Sequence, residues 1–212
     1  MDKKKFGYQE AYSLKTPSDS KRLYKKWAKT YDKDFALNSN YVSPKKISDF
    51  FNKYAKITDT PILDVGAGTG LVAEFLNKKG NKKIIGIDIS SEMLKEAKLK
   101  KCYSSLMVAD VTKKIRLKNN SIGAVVSAGT FTHGHIGPDV FDELLRITKP
   151  GGLFVLSINS KYFIEKGFQK KFLKIKNNIS TPKFIKYNAH GNYKNKKFGK
   201  IKIFATIFRK KY

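Results

Sequence analysis

Apolar positions recur along this chain with two different periods. Leu23, Tyr24, Trp27, Ala28 and Tyr31 share one face at helical spacing, so a helix is expected from about Asp19, capped by Ser18 or Asp19. A second helix is expected to open near Pro44, with Ile47, Phe50, Phe51 and Tyr54 as its stripe. From residue 61 short apolar runs alternate with helical patterns. "PILDVGA", "KIIGIDIS", "SLMVAD", "IGAVVSAG" and "GLFVLSI" read as strands. "GLVAEFLNKKG", "SEMLKEAKLKK" and "PDVFDELLRIT" read as the intervening helices, the first stopped by Gly80, the second capped by Ser90 or Ser91, the third closed by "KPGG". Strands that are apolar throughout, set between helices, predict a parallel sheet covered on both faces, with ligands at the strands' C-terminal ends. Beyond residue 160, "SKYFIEKGFQKKFLKIK" keeps helical spacing. "IKIFATIFRK" reads as a strand able to pair antiparallel at the sheet's far edge, with residues 183–188 supplying another. The first dozen residues read as a loose arm.

Composition bounds this picture. A chain of 212 residues with 41% apolar and 13% aromatic residues suits one folded domain. Cys102 is the single cysteine, which excludes an intramolecular disulfide and any CxxC site. No stretch resembles a signal peptide or reaches the ~20 apolar residues of a membrane span, so a cytoplasmic protein is the expectation. The net charge is +27, and residues 161–212 hold 16 Lys or Arg against only Glu165. Such a surface can attract nucleic acid. Only four of the 44 basic residues are Arg, the side chain best shaped to grip phosphate, so compositional bias explains the charge as readily.

The chemistry concentrates in "LDVGAGTG". Asp64 stands near a strand end, and Gly66, Gly68 and Gly70 let the backbone turn sharply beside a ligand. Asp88 lies 18 residues past Gly70, placed to bind both hydroxyls of a ribose. Dinucleotide-binding enzymes share these features. Two details point elsewhere: the rhythm is G-x-G-x-G, and a third carboxylate, Asp110, ends the third strand, suited to an exocyclic adenine amine. Three carboxylates on one rim fit a positively charged nucleoside better than a pyrophosphate.

In these motifs residues 61–158 resemble the core of the class I S-adenosylmethionine-dependent methyltransferases. "LDVGAGTG", "GIDIS", "VAD" and "LLRITKPGG" stand in that family's order. "WAKTYD", "GLV" and "THGH" are similar to the methyltransferase-like proteins of the Williams–Beuren region. The resemblance implies a doubly wound, Rossmann-like α/β fold: a mostly parallel seven-stranded sheet, helices on both faces, and an antiparallel edge strand near the C-terminus. It implies one domain over 1–212, with a helical lid at 1–57, a cofactor-binding core at 58–160, and a basic part at 161–212 completing the sheet. It implies S-adenosylmethionine as cofactor and S-adenosylhomocysteine as product. Gly66, Ala67, Gly68 and Gly70 would cradle the methionine part, with Asp64 near its amino group. Asp88 would take the ribose, Ile89 and Met93 would pack on the adenine, and Asp110 and Val111 would read its edge. Trp27 and Tyr31 would help close the pocket, and Ala128 and Gly129 would also bind the cofactor.

The loop after the fourth strand, "SAGTFTHGHIGP", is where an acceptor is expected. It lacks the Asp/Asn-Pro-Pro-aromatic run of exocyclic base-amine methyltransferases. Cys102 is misplaced for attack on a cytosine ring. His133 and His135, two residues apart on a glycine turn, lack a third metal ligand. His133 is therefore the candidate acceptor-side base, and His135 the more structural member. The expected function is methyl transfer to O, N or C of a small molecule. The alternatives are an RNA- or protein-directed enzyme, or a nucleic-acid binder that keeps the fold. Oligomeric state is not legible.

Overall fold

The computed structural model describes residues 17–80, 82–132, 134–191 and 201–212. Among these residues two helices precede the sheet, α1 (Pro17–Trp27) and α2 (Ser43–Tyr54), separated by a π-helical turn at Asp32–Leu37 that the sequence pattern does not announce. Then follow β1 (Ile62–Val65), α3 (Leu71–Asn77), β2 (Ile84–Asp88), α4 (Ser91–Leu99), β3 (Ser105–Val108), β4 (Ile122–Phe131), α5 (Val140–Ile147) and β5 (Thr148–Asn159). The chain ends with α6 (Ser160–Glu165), α7 (Phe168–Lys174), β6 (Lys183–Asn188) and β7 (Lys202–Arg209).

The seven strands lie in the order β3-β2-β1-β4-β5-β7-β6. β1 to β5 are parallel, and β7 pairs antiparallel with both β5 and β6. This is the doubly wound, mostly parallel sheet expected from the alternating pattern. The order reverses between β1 and β4, and the crevice at such a switch point is where ligands bind.

Alternation along each strand sorts the core into two layers. Leu63, Val65, Val125, Phe154 and Leu156 face α5, α6 and α7, where Phe141, Leu144, Phe168 and Phe172 cover them. Ile62, Ala124, Val126, Leu153 and Val155 face α2 and α3, against Ile47, Phe51, Val72 and Leu76. Trp27 and Phe35 form a third, smaller cluster with Leu23, Tyr24, Tyr31 and Tyr41 packed on it. Asp59, which is buried, takes a two-pronged ion pair from Arg209 (2.8 and 3.0 Å), and Arg209 also donates to the carbonyls of Tyr54 and Gly151. One of the four arginines thus ties the last strand to the entry of the first.

Some elements differ from expectation for local reasons. α1 begins at Pro17, so Asp19 lies inside its first turn and is not its cap. Gly167, with φ +74, breaks the long helical pattern of the tail into α6 and α7. As expected, β7 pairs antiparallel beyond β5, and residues 183–188 supply β6, the edge strand. "KPGG" begins β5 as well as ending α5. β3 stops at Val108, which leaves Asp110 on the following loop. The N-terminal arm lies outside the described residues.

Candidate active site

A cleft of about 930 Å3, counting its open mouth, lies over the C-terminal ends of β1, β2 and β4. One wall is the turn after β1. Gly66, Gly68 and Gly70 all have positive φ (68, 54 and 89°). Gly66 and Ala67 donate their N–H groups to the Ile87 carbonyl at 2.8 and 3.0 Å, which folds the turn back over β2. A Cβ on Gly66 would stand 2.0 Å from Thr130 Oγ1, and that hydroxyl is itself held by the Val65 carbonyl at 3.0 Å. No other residue fits there.

Asp88 ends β2 with its carboxylate at the turn. It accepts from Gly68 N at 2.9 Å and from Ser90 N at 2.8 Å. Burial raises its pKa, and these backbone bonds oppose the rise. Ser90 in turn caps α4, its Oγ accepting from Met93 N. Ile89, Met93, Asp110 and Val111 all line the same end of the cleft. Asp110 accepts from Thr112 N and Oγ1 at 2.9 and 2.6 Å, which fixes its loop. Asp64 is fully buried and does not line the cleft. Tyr103 Oη donates to its Oδ2 at 2.7 Å. Burial pushes Asp64 up to about 7; the Tyr103 bond pulls against this, and nearby Asp88 adds to it.

The opposite wall is aromatic. Tyr24, Tyr31 and Tyr41 line the cleft together with Ala128, Gly129, His135 and Ile136. Tyr24 Oη lies 3.1 Å from His135 Nε2. Burial, and secondarily the Asp88 charge, raise the Tyr24 phenol well above its ordinary value, so it stays protonated. Between Ser127 and Phe131 the register of β4 against β5 slips, pushing Ala128 and Gly129 toward the cleft. Gly129 (φ +85) donates to Ser157 Oγ, and a Cβ on it would meet Tyr41 Oη at 2.7 Å. A smaller chamber continues from this wall, bounded also by Phe131, Thr132, Ser157, Asn159 and Ile203.

The π-helical turn is tied to the glycine turn and to the end of α4. Asp32 accepts from Thr69 Oγ1 at 2.5 Å and from Lys100 Nζ at 2.6 Å, and Lys100 also reaches Glu74 at 3.0 Å.

Residues 63–156 match the family model described as a methyltransferase domain. Over this stretch the chain is similar to methyltransferase domains. It is 30% identical over 152 residues to human methyltransferase-like protein 27, covering 69% of this chain and 60% of that protein. It is 33% identical over 144 residues to malonyl-[acyl-carrier protein] O-methyltransferase 2 of Ilyobacter polytropus, covering 66% of this chain and 53% of the other. The chain thus spans between half and two thirds of the length of these relatives. Among solved structures, an S-adenosylmethionine-dependent methyltransferase of Methanococcus maripaludis superposes with TM-score 0.63 at 20% identity, covering 91% of this chain and 94% of that one. Phosphoethanolamine N-methyltransferase 2 of Haemonchus contortus, in complex with S-adenosylhomocysteine, gives 0.65 at 15% identity, covering 92% and 59%. These likenesses establish the fold of the methyltransferase domain.

The residues fit the cofactor of this family. Gly66 opens a cradle that a side chain would fill, and Asp64 keeps one buried oxygen, Oδ1, with no hydrogen-bond partner among the described residues, available to a cation. Of the residues expected around it, Gly66, Ala67, Gly68, Asp88, Ile89, Met93, Asp110, Val111, Tyr31, Ala128 and Gly129 line one cleft. Gly70 and Asp64 stand behind it. Trp27 is fully buried, stacked on Tyr24 (centroids 6.3 Å apart) and edge-on to Phe35, so Tyr24 presents the ring surface that Trp27 supports. His133 lies outside the described residues. Tyr24, Tyr41, Thr69 and Thr130 join the site without having been singled out for it, and His135, expected to be the more structural histidine, lines it as well. For Tyr24 a signal existed, since it shares the helix face of Trp27 and Tyr31. For Tyr41 none did.

Proposed function

We propose that this chain transfers the methyl group of S-adenosylmethionine to O, N or C of a small-molecule acceptor. The observation that carries the reading is a single cleft with two unlike walls. One is a glycine turn with Asp88 and Asp110. The other is a tyrosine–histidine wall opening into a second chamber. The names of the relatives support a small or lipid-linked acceptor: they include phosphoethanolamine N-methyltransferases and a cyclopropane-fatty-acyl-phospholipid synthase.

Bound against the glycine turn, S-adenosylmethionine supplies an electrophilic methyl on a sulfonium. The chain's own part is alignment, exclusion of water and removal of a proton. Gly66 and Gly68 allow close approach, Asp88 accepts the ribose hydroxyls, and Met93 and Ile89 enclose the base. Tyr31 and Tyr41 cover the site from the lid. An acceptor O–H or N–H placed at the aromatic wall would pass its proton to Tyr24 Oη as the phenol's own proton moves to His135 Nε2. The phenol keeps the acceptor's proton and stays neutral, and the imidazolium releases its proton to water. Among the described residues His135 therefore carries the acceptor-side role.

Incubation of the purified chain with methyl-labelled cofactor and cell extract, fractionated into small molecules, RNA and protein, tests this. Label in the small-molecule fraction is expected. Label confined to RNA or protein would replace the acceptor class. Absence of label in every fraction, together with salt-sensitive RNA binding, would favour the nucleic-acid-binding alternative.

A further inference from the structure

Tyr103 stands on the connection between α4 and β3, yet its hydroxyl ends on Asp64 of β1, at 2.7 Å. In the sheet order β3-β2-β1 its ring must cross β2, and it does so at Gly86. A Cβ on Gly86 would stand 2.8 Å from Tyr103 Cε1 and 2.7 Å from Leu106 Cδ2. This explains a glycine in the middle of a buried strand, where its missing side chain would otherwise weaken packing. The other edge of the same ring lies against Gly70, where a Cβ would meet Cε2 at 3.0 Å. One ring therefore touches the last glycine of the turn, passes over the glycine of β2, and holds the buried carboxylate.

We infer that Tyr103 is a positioning residue for cofactor binding. Its hydroxyl occupies one oxygen of Asp64 and leaves the other, which has no donor among the described residues, for the ammonium group of the cofactor's methionine part. This rests on the cofactor reading above. A buried carboxylate with a single donor is incompletely satisfied, and a cation would complete it. The groups facing Asp64 are Tyr103 and, at longer range, Asp88, with Cys102 beside Tyr103. Burial holds Asp64 at about 7, so binding an ammonium there near neutral pH displaces a proton.

Two probes separate this role from a packing role: S-adenosylhomocysteine, and 5′-methylthioadenosine, which keeps the nucleoside and sulfur but lacks the amino-acid part. Tyr103→Phe retains the ring and removes the hydroxyl. By calorimetry at pH 7, its affinity for S-adenosylhomocysteine is expected to fall about tenfold while that for methylthioadenosine stays within about twofold. In an Asp64→Asn background Tyr103→Phe should add no further loss. Equal losses for the two ligands, or an additional loss in that background, would overturn the inference. Should Tyr103→Phe fail to fold, the unaltered chain still decides. Its affinity for S-adenosylhomocysteine should drop about tenfold from pH 8 to 6, with methylthioadenosine flat, and parallel curves would overturn the inference. Failure of the unaltered chain to bind either ligand would instead sink the cofactor reading, and this one with it.

Discussion

The two walls of the cleft are made of opposite materials. The cofactor wall comes from one continuous stretch, residues 66–112, and uses glycines, backbone N–H groups and the carboxylates of Asp88, at a strand end, and Asp110, on the loop after β3. The wall proposed for the acceptor is assembled from side chains far apart in sequence: Tyr24 on α1, Tyr41 before α2, Gly129 in the bulge of β4, His135 beyond it, and Ser157 and Ile203 on β5 and β7. The first wall has little room for variation, because Gly66 abuts Thr130 and Gly86 abuts Tyr103. The second is built of replaceable rings. The difference explains how one fold keeps its cofactor while changing its acceptor. It also means that the two walls should respond separately to mutation.

The largest effect is expected on the cofactor wall. Gly66→Ala combines a φ of +68 with a Cβ placed 2.0 Å from Thr130 Oγ1. Affinity for S-adenosylhomocysteine should fall by about 100-fold or more, read by calorimetry. Retained affinity would show that the turn does not hold the cofactor. On the other wall, Tyr24→Phe removes the hydroxyl beside His135 and keeps the stacking on Trp27. Methyl transfer should drop on the order of 100-fold while cofactor affinity changes less than about twofold. A matching drop in both would erase the division between the walls.

A third expectation concerns pH. The carboxyl of Asp64 sits at about 7 in the fold and near 3.9 when unfolded. A raised carboxyl pKa favours the folded state below about pH 4, and that contribution is lost as pH rises to about 7. The cofactor-free chain should therefore gain stability from Asp64→Asn increasingly between pH 4 and 7, on the order of several degrees in melting temperature. The comparison of variant with parent cancels the opposite contribution of buried His190, lowered to about 4 by burial, which stabilises less as pH falls from about 6.5. Parallel melting curves across this range would remove Asp64 as the titrating group. The smallest effect is assigned to the tie at Asp32: Asp32→Asn weakens the pull on Lys100 and the hold on Thr69. It should speed cofactor release by about three- to tenfold in stopped-flow, and an unchanged rate would reduce the tie to surface packing.

Most of the fold was legible because its signals are local. Continuous apolar strands, Gly80, Ser90 and Pro44 each announce an element within a few residues of themselves. The glycine turn was legible for the same reason: Gly66, Gly68 and Asp88 line the cleft, while Asp110 falls on the loop after β3 and Asp64 and Gly70 stand behind the turn. The acceptor wall was not, because nothing near Tyr41, Ser157 or Ile203 marks them as neighbours. Tyr103 left an indirect trace, a glycine inside a buried strand, but the sequence does not say which ring fills the gap. Trp27 shows the reverse: its helical face was read well, but burial beneath Tyr24 decides which ring meets the ligand.

The separation of the two walls can be tested directly by titrating S-adenosylhomocysteine into the unaltered chain, Gly66→Ala and Tyr24→Phe under one set of conditions. One-to-one binding of equal strength is predicted for the unaltered chain and Tyr24→Phe, with binding lost in Gly66→Ala. Equal binding in all three, or loss in Tyr24→Phe to the same degree as in Gly66→Ala, would contradict the account.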